Sequence, residues 1–222
     1  MTTVRGAGPS VSSPVLEKAG AFDKIARMLR LGFWLGLMAA TVGCGGGGPA
    51  GDTLSGTTGG GAFVIKDAVI ATTATWTSSP DPGDSTVIIL SDREGLCADI
   101  QAGRSHAGSR FLIMYLAAVG AGTMSPITSA GAYPIGPNDA VVPPVSGFAF
   151  YSALDAQCAG TAQLAFSGTV TLTDLGAGAT SASGRLAIMF EDGSTLGGNF
   201  SATSGCPPAA VDAYLSAMPT CS

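Results

Sequence analysis

The stretch Gln163–Thr173, QLAFSGTVTLT, decides the fold class. Leu164, Phe166, Val170 and Leu172 alternate with Ala165, Ser167, Thr169, Thr171 and Thr173. Successive side chains of a strand point to opposite faces, so a period of two predicts a strand with the first set inward and the threonines toward water. Arg185–Glu191 repeats the pattern with Leu186, Ile188 and Phe190 inward. Asp192-Gly193 then supplies a two-residue turn that tolerates positive φ, and Thr195–Ala202 returns with Leu196 and Phe200 inward. Two patterned runs about an Asp-Gly turn predict a β-hairpin.

Further strand candidates lie on the N-terminal side. Phe63–Ala71 (FVIKDAVIA), Thr86–Leu90 (TVIIL) and Phe148–Ser152 (FAFYS) are short apolar runs between turn residues. Phe111–Val119 (FLIMYLAAV) fits a strand or a short helix. The 33 glycines suit turns and strand ends better than helix interiors, where each costs roughly 1 kcal/mol. Two short helices are expected. Asp92–Ile100 has Ser91 placed as its cap and Glu94 three residues on, and Pro207–Leu215 opens on prolines that suit a first turn. The expected fold is all-β: an antiparallel β-sandwich or barrel-like domain over residues 62–222 with one or two short helices.

Composition limits the partners. Of ten Lys and Arg, five (Arg5, Lys18, Lys24, Arg27, Arg30) precede residue 31, and Lys66, Arg93, Arg104, Arg110 and Arg185 are scattered singly after it. The domain is therefore acidic and has no basic stripe to neutralise phosphates, which argues against nucleic acid.

The N-terminal segment carries the most specific signal. Leu31–Val42 (LGFWLGLMAATV) is twelve uncharged residues, too short for a bilayer span of about 20 but of signal-peptide length, with Arg27 and Arg30 as its positive flank. Its alternative reading is a buried helix of a soluble domain. Thr41-Val42-Gly43-Cys44 follows and resembles the lipobox of bacterial lipoproteins, departing from the commoner pattern at Thr41, where leucine is usual. The resemblance implies cleavage before Cys44, with lipid on its sulfur and on the new amino group. Several acyl chains are needed for stable anchoring, each buried methylene contributing roughly 0.8 kcal/mol. Gly45, where aspartate would imply retention at the inner membrane, implies the outer membrane.

Residues 1–43 are thus expected to be leader and signal peptide, with translation starting at Met28, which together with Arg30 precedes the apolar core compactly. Residues 44–61 are expected to be the lipidated Cys44 and a flexible Gly-rich tether. A phosphate-cradling loop is the alternative for that stretch, but it lacks a Lys-Ser/Thr ending and a preceding strand.

Four cysteines remain: Cys97, Cys158, Cys206 and Cys221. In an exported chain an even number points to two disulfides with three possible connectivities. The favoured pairing is Cys97–Cys158 with Cys206–Cys221. Neither CxxC spacing nor nearby histidines favour a metal site. The domain also resembles a loose group of bacterial lipoproteins that brings no assigned activity with it. That likeness covers roughly residues 62–206, in Ile89-Leu90-Ser91-Asp92-Arg93 and the cysteine after it, Gly131-Ala132-Tyr133, Ser167–Thr173, and Gly198–Ala202 before Cys206.

The residues that could carry chemistry are few. His106 is the single histidine, in a polar turn-like stretch without a GxSxG elbow, so a hydrolase site rests on it alone. Asp81, Asp84, Asp92 and Glu94 are the densest acids, but no spacing matches a calcium loop. Trp76, Tyr115, Tyr133, Phe148, Phe150 and Tyr151 could include a carbohydrate-stacking platform; strand aromatics are more often core, and Trp76, among threonines and serines, is the one expected to be exposed. The leading expectation is a non-enzymatic, lipid-anchored outer-membrane protein with a structural or interaction role and no cofactor. The alternatives are a module binding a glycan or another envelope protein, and a hydrolase built around His106.

Overall fold

The computed structural model describes residues 52–58, 61–76, 83–120, 123–137, 144–217 and 219–222. The expected leader and signal peptide, Cys44, tether residues 44–51 and Asp81 lie outside the described residues.

The strands are β1 (Thr53–Gly56), β2 (Phe63–Val64), β3 (Asp67–Trp76), β4 (Gly83–Ser91), β5 (Arg104–Ser105), β6 (Arg110–Val119), β7 (Met124–Pro126), β8 (Gly131–Ile135), β9 (Val145–Leu154), β10 (Gly160–Leu175), β11 (Ser181–Phe190), β12 (Thr195–Thr203) and β13 (Thr220–Cys221). Helix α1 spans Leu96–Gln101 and α2 spans Pro208–Ser216, with a 3₁₀ turn at Ala177–Ala179. Eleven strands form one sheet among the described residues, and β5 and β13 form a separate parallel pair.

The large sheet closes on itself. Strands β3, β4, β6, β9, β10, β11 and β12 pair antiparallel in that order, and β12 meets β3 in parallel at Thr203 and Val69. The fold is all-β and barrel-like, as expected. The predicted hairpin is β11–β12, with Gly193 at φ 79° in its turn. The ambiguous Phe111–Val119 is strand, for it pairs with both β4 and β9.

Two apolar layers hold the fold. The interior contains Ile70, Ile88, Leu90, Leu112, Met114, Val170, Leu172, Leu186, Ile188, Phe190, Leu196 and Phe200. Outside the wall of β3, β4 and β6 a second layer unites Val69, Val87, Ile89, Phe111 and Ile113 with Leu96, Ile100, Val211 and Tyr214 of the two helices. Strand β4 is therefore buried on both faces from Ser85 to Ser91, which explains a continuous apolar run rather than an alternating one. Each fully buried Val, Leu or Ile contributes roughly 1.5–3 kcal/mol. No helix among the described residues is long and apolar enough to cross a membrane.

Several expectations are corrected. Residues 53–58 belong to the domain, not to the tether: β1 pairs with β12, and Leu54 is fully buried. The Gly-rich composition misled there because Gly56 serves close approach. A Cβ on it would lie 1.8 Å from the Thr195 carbonyl oxygen. The Phe63–Ala71 run is broken at Ile65-Lys66 into β2 and β3.

Phe166 does not point inward. A bulge between Ala165 and Ser167 shifts the register of β10 on β11, leaving Phe166 54% exposed while Ala165 is buried. Leu164, on the same side of the bulge, is only half-buried. Val170 and Leu172, beyond it, are buried as expected.

The first helix starts at Leu96, not at Asp92, and Ser91 does not cap it. The Ser91 Oγ accepts from Arg93 N instead, and Asp67 Oδ2, on β3, accepts from Leu96 N at 2.8 Å. A buried acid distant in sequence has replaced the local cap. The second helix lies where expected, one residue later.

Candidate functional site

The four domain cysteines pair as Cys97–Cys206 and Cys158–Cys221, with Cα–Cα separations of 5.2 and 6.0 Å. This replaces the expected pairing of Cys97 with Cys158 and Cys206 with Cys221. The reason is the barrel's closure. Strand β12 returns beside β3, and Asp67 at the head of β3 holds α1, so Cys206 emerges next to Cys97. Meanwhile β13 runs along β5 and delivers Cys221 to the β9–β10 turn that holds Cys158.

That second bridge seats Ser222 against His106. The imidazole Nε2 lies 2.9 Å from Asp99 Oδ2, and Nδ1 lies 3.2 Å from Ser222 Oγ. Asp99 also takes the Arg104 guanidinium on its other oxygen at 3.2 Å. With Nε2 donating to the carboxylate, Nδ1 is an acceptor, and the Ser105 carbonyl at 3.4 Å competes with it for the single proton of the Ser222 hydroxyl. The three groups stand in the order of a Ser-His-Asp relay, with the two ring nitrogens exchanged: the carboxylate is on Nε2 and the serine on Nδ1. Tyr214 of α2, beside Asp99, is pushed up to about 12 by burial first and by the Asp99 charge second, so it remains a neutral phenol near pH 7.

The Ser222 amide donates to the Ser105 carbonyl and the Ala107 amide to the Ser222 carbonyl, so neither is free to stabilise an oxyanion. Sequence reading singled out His106 but missed both its partners. Asp99 lies seven residues away across a helix and a turn, and Ser222 is brought in only by the disulfide and the β5–β13 pairing.

Of the described acids in the cluster read from the sequence, Asp92 and Glu94 lie close together and Asp84 stands apart. Asp84 and Asp92 lie at opposite ends of β4, a strand of nine residues. Asp92 is committed to Arg110, accepting from its backbone N at 2.8 Å and from Nε at 2.7 Å. No group of three His, Cys, Asp or Glu among the described residues could hold a metal ion.

The aromatics divide. Tyr133 and Tyr151 are buried in the interior. Tyr115, Phe148 and Phe150 cluster half-buried on the outer face of β6 and β9, with ring centroids 6.0–6.4 Å apart. Burial, followed by the Asp212 charge, holds the Tyr115 phenol far above its ordinary range, so it stays neutral. The backbone of Trp76 pairs with Gly83; the expectation about its side chain falls outside what is described.

An open cleft of about 500 Å3 lies where the β2–β3 corner, the β4–α1 loop and the β5–β6 loop meet, lined by Lys66, Asp92, Arg93, Glu94 and Gly108. A smaller one of about 170 Å3, next to the 3₁₀ turn, is lined by Thr72, Ile127, Thr128, Leu175 and Gly178 among others. Compared with protein-family models, with curated proteins and with solved structures, the chain matches none.

Proposed function

We propose that this chain is an exported lipoprotein, cleaved before Cys44, acylated there and held at the outer membrane. Its domain serves a non-enzymatic structural or interaction role. One observation carries the reading. Of five cysteines, four are paired with one another in the domain, and the one left over is the residue that ends the lipobox-like Thr41-Val42-Gly43-Cys44. Two disulfides suit an exporting route. An unpaired fifth thiol in such a compartment is a reactive liability unless it is consumed, and thioether formation with a diacylglyceryl group consumes it. The tether that follows is shorter than composition suggests, since the folded domain already includes Thr53.

Metabolic labelling with a radioactive fatty acid tests this. Label is expected in the wild type and absent from Cys44→Ser, which is also expected to lose its membrane fraction or remain unprocessed. Equal label and equal membrane attachment in the two proteins would refute the anchor.

A second reading, hydrolysis at Ser222, is favoured by the Asp99–His106–Ser222 relay. A fluorophosphonate probe that modifies the native protein, but neither Ser222→Ala nor His106→Ala, would establish it. No labelling of the native chain removes it.

A further inference from the structure

We propose that the cleft lined by Lys66, Asp92, Arg93, Glu94 and Gly108 binds a small zwitterion of the short-peptide class. Lys66 and Arg93 would hold its carboxylate, and Glu94 its ammonium. The inference is independent of the lipid anchor, and neither falls with the other.

Charge accounting points to this cleft first. The domain has five basic residues: Lys66, Arg93, Arg104, Arg110 and Arg185. Arg104 is paired with Asp99 and Arg110 with Asp92. Of the remaining three, two line the same cleft, in a domain whose charge is otherwise acidic. Among the described residues the side chains of Lys66, Arg93 and Glu94 make no hydrogen bond or ion pair. Asp92, the other acid of the cleft, is neutralised by Arg110 and so leaves Glu94 as the open anion. The cleft thus presents both signs, exposed and without a partner among the described residues. A simple anion would meet Glu94 as a repulsion and a simple cation would meet Lys66 and Arg93, whereas a molecule with both charges complements all three.

The frame beneath these side chains is fixed. Lys66 N donates to the Ser91 carbonyl, and Asp92 N to the Arg110 carbonyl. Ser91 Oγ accepts from Arg93 N, and Asp67 Oδ2 accepts from Leu96 N on the far side of Glu94. The loop from Ser91 to Leu96 is thus held at each end and in its middle, while its charged tips project into the cleft. A loop ordered before the ligand arrives spends less of the interaction on ordering. Arg93 offers a planar fork that matches a carboxylate, and Lys66 a second point charge. Gly108, without a side chain, leaves that wall open.

The test is titration of the full-length protein, followed by NMR shifts or calorimetry, with trialanine, trialanine amide and N-acetyl-trialanine. Trialanine is expected to bind about tenfold more tightly than either capped peptide, the loss typical of one charge-assisted contact. Lys66→Gln with Arg93→Gln is expected to abolish the preference over the amide alone, and Glu94→Gln the preference over the acetylated peptide alone. These side chains are exposed, so the variants should keep the native melting temperature. Equal binding of all three peptides, no binding of trialanine up to about 10 mM, or variants that lose both preferences together would each overturn the proposal.

Discussion

The wall of β3, β4 and β6 and the wall of β10, β11 and β12 enclose the same interior, yet they are written in different alphabets. On the second wall the clearest case is β11, where each inward residue alternates with one facing outward. Leu186, Ile188 and Phe190 are buried while Arg185, Ala187 and Met189 are exposed. On the first wall α1 and α2 cover the outside, so Val87 and Ile89 are as buried as Ile88 and Leu90. A strand shows its period only where one face is wet. Where both faces are covered, the sequence records burial and hides orientation.

The contrast is broken most directly by removing what keeps the helices on the first wall. Cys97→Ala with Cys206→Ala opens a bridge spanning 109 residues and is expected to cost about 4–5 kcal/mol in denaturant unfolding. A change below about 1 kcal/mol would mean that the bridge does not constrain this chain. Its partner bridge is checked by mass mapping of the unreduced protein after cleavage at Arg104, Arg110, Arg185 and Asp212, which places each of the four cysteines on its own peptide. Peptides joining Cys97 to Cys206 and Cys158 to Cys221 are expected; a Cys97–Cys158 peptide would restore the pairing first expected.

The next effect compares one residue from each wall. Ile89→Ala, beneath the helices, is expected to cost about 2–5 kcal/mol, and Met189→Ala, 39% exposed on the bare wall, no more than about 0.5. Equal costs would show that the helices do not seal the first wall.

A smaller effect comes from Asp67, which joins that wall to α1. Burial, outweighing the hydrogen bonds it accepts from Leu96 and Ala68, raises its carboxyl above the ordinary 3.8. The native state therefore holds the proton more tightly than the unfolded state. Between 3.8 and the raised folded value this group contributes stability as pH falls, and the contribution is lost as pH rises through the folded value. Unfolding measured across acid pH should show that component in the wild type and lack it in Asp67→Asn. Identical pH profiles would contradict the assignment. Least is expected of Phe166→Ser: the bulge leaves the ring exposed, so stability should change by no more than about 0.5 kcal/mol. A loss above about 2 kcal/mol would return Phe166 to the core.

The same contrast explains how much was legible. The β11–β12 hairpin could be read because period two and an Asp-Gly turn act within a few residues. The Phe166 bulge could not, because only the register against Met189 and Phe190 decides it. Nor could the cap of α1, whose acceptor lies 29 residues upstream of Leu96, or the disulfide pairing, which follows from the return of β12 beside β3. In the candidate site His106 stood out as the lone histidine. Asp99 and Ser222 carried no local mark, and the cleft of Lys66, Arg93 and Glu94 exists only once three loops meet.

The account rests most on what happens to Cys44. Mass spectrometry of the mature protein from its native host tests it in one measurement. The account predicts a chain beginning at Cys44 whose N-terminal peptide is heavier than its amino acids by a diacylglyceryl group and an N-linked acyl chain. A mature chain beginning elsewhere, or one carrying an unmodified Cys44 thiol, would contradict it.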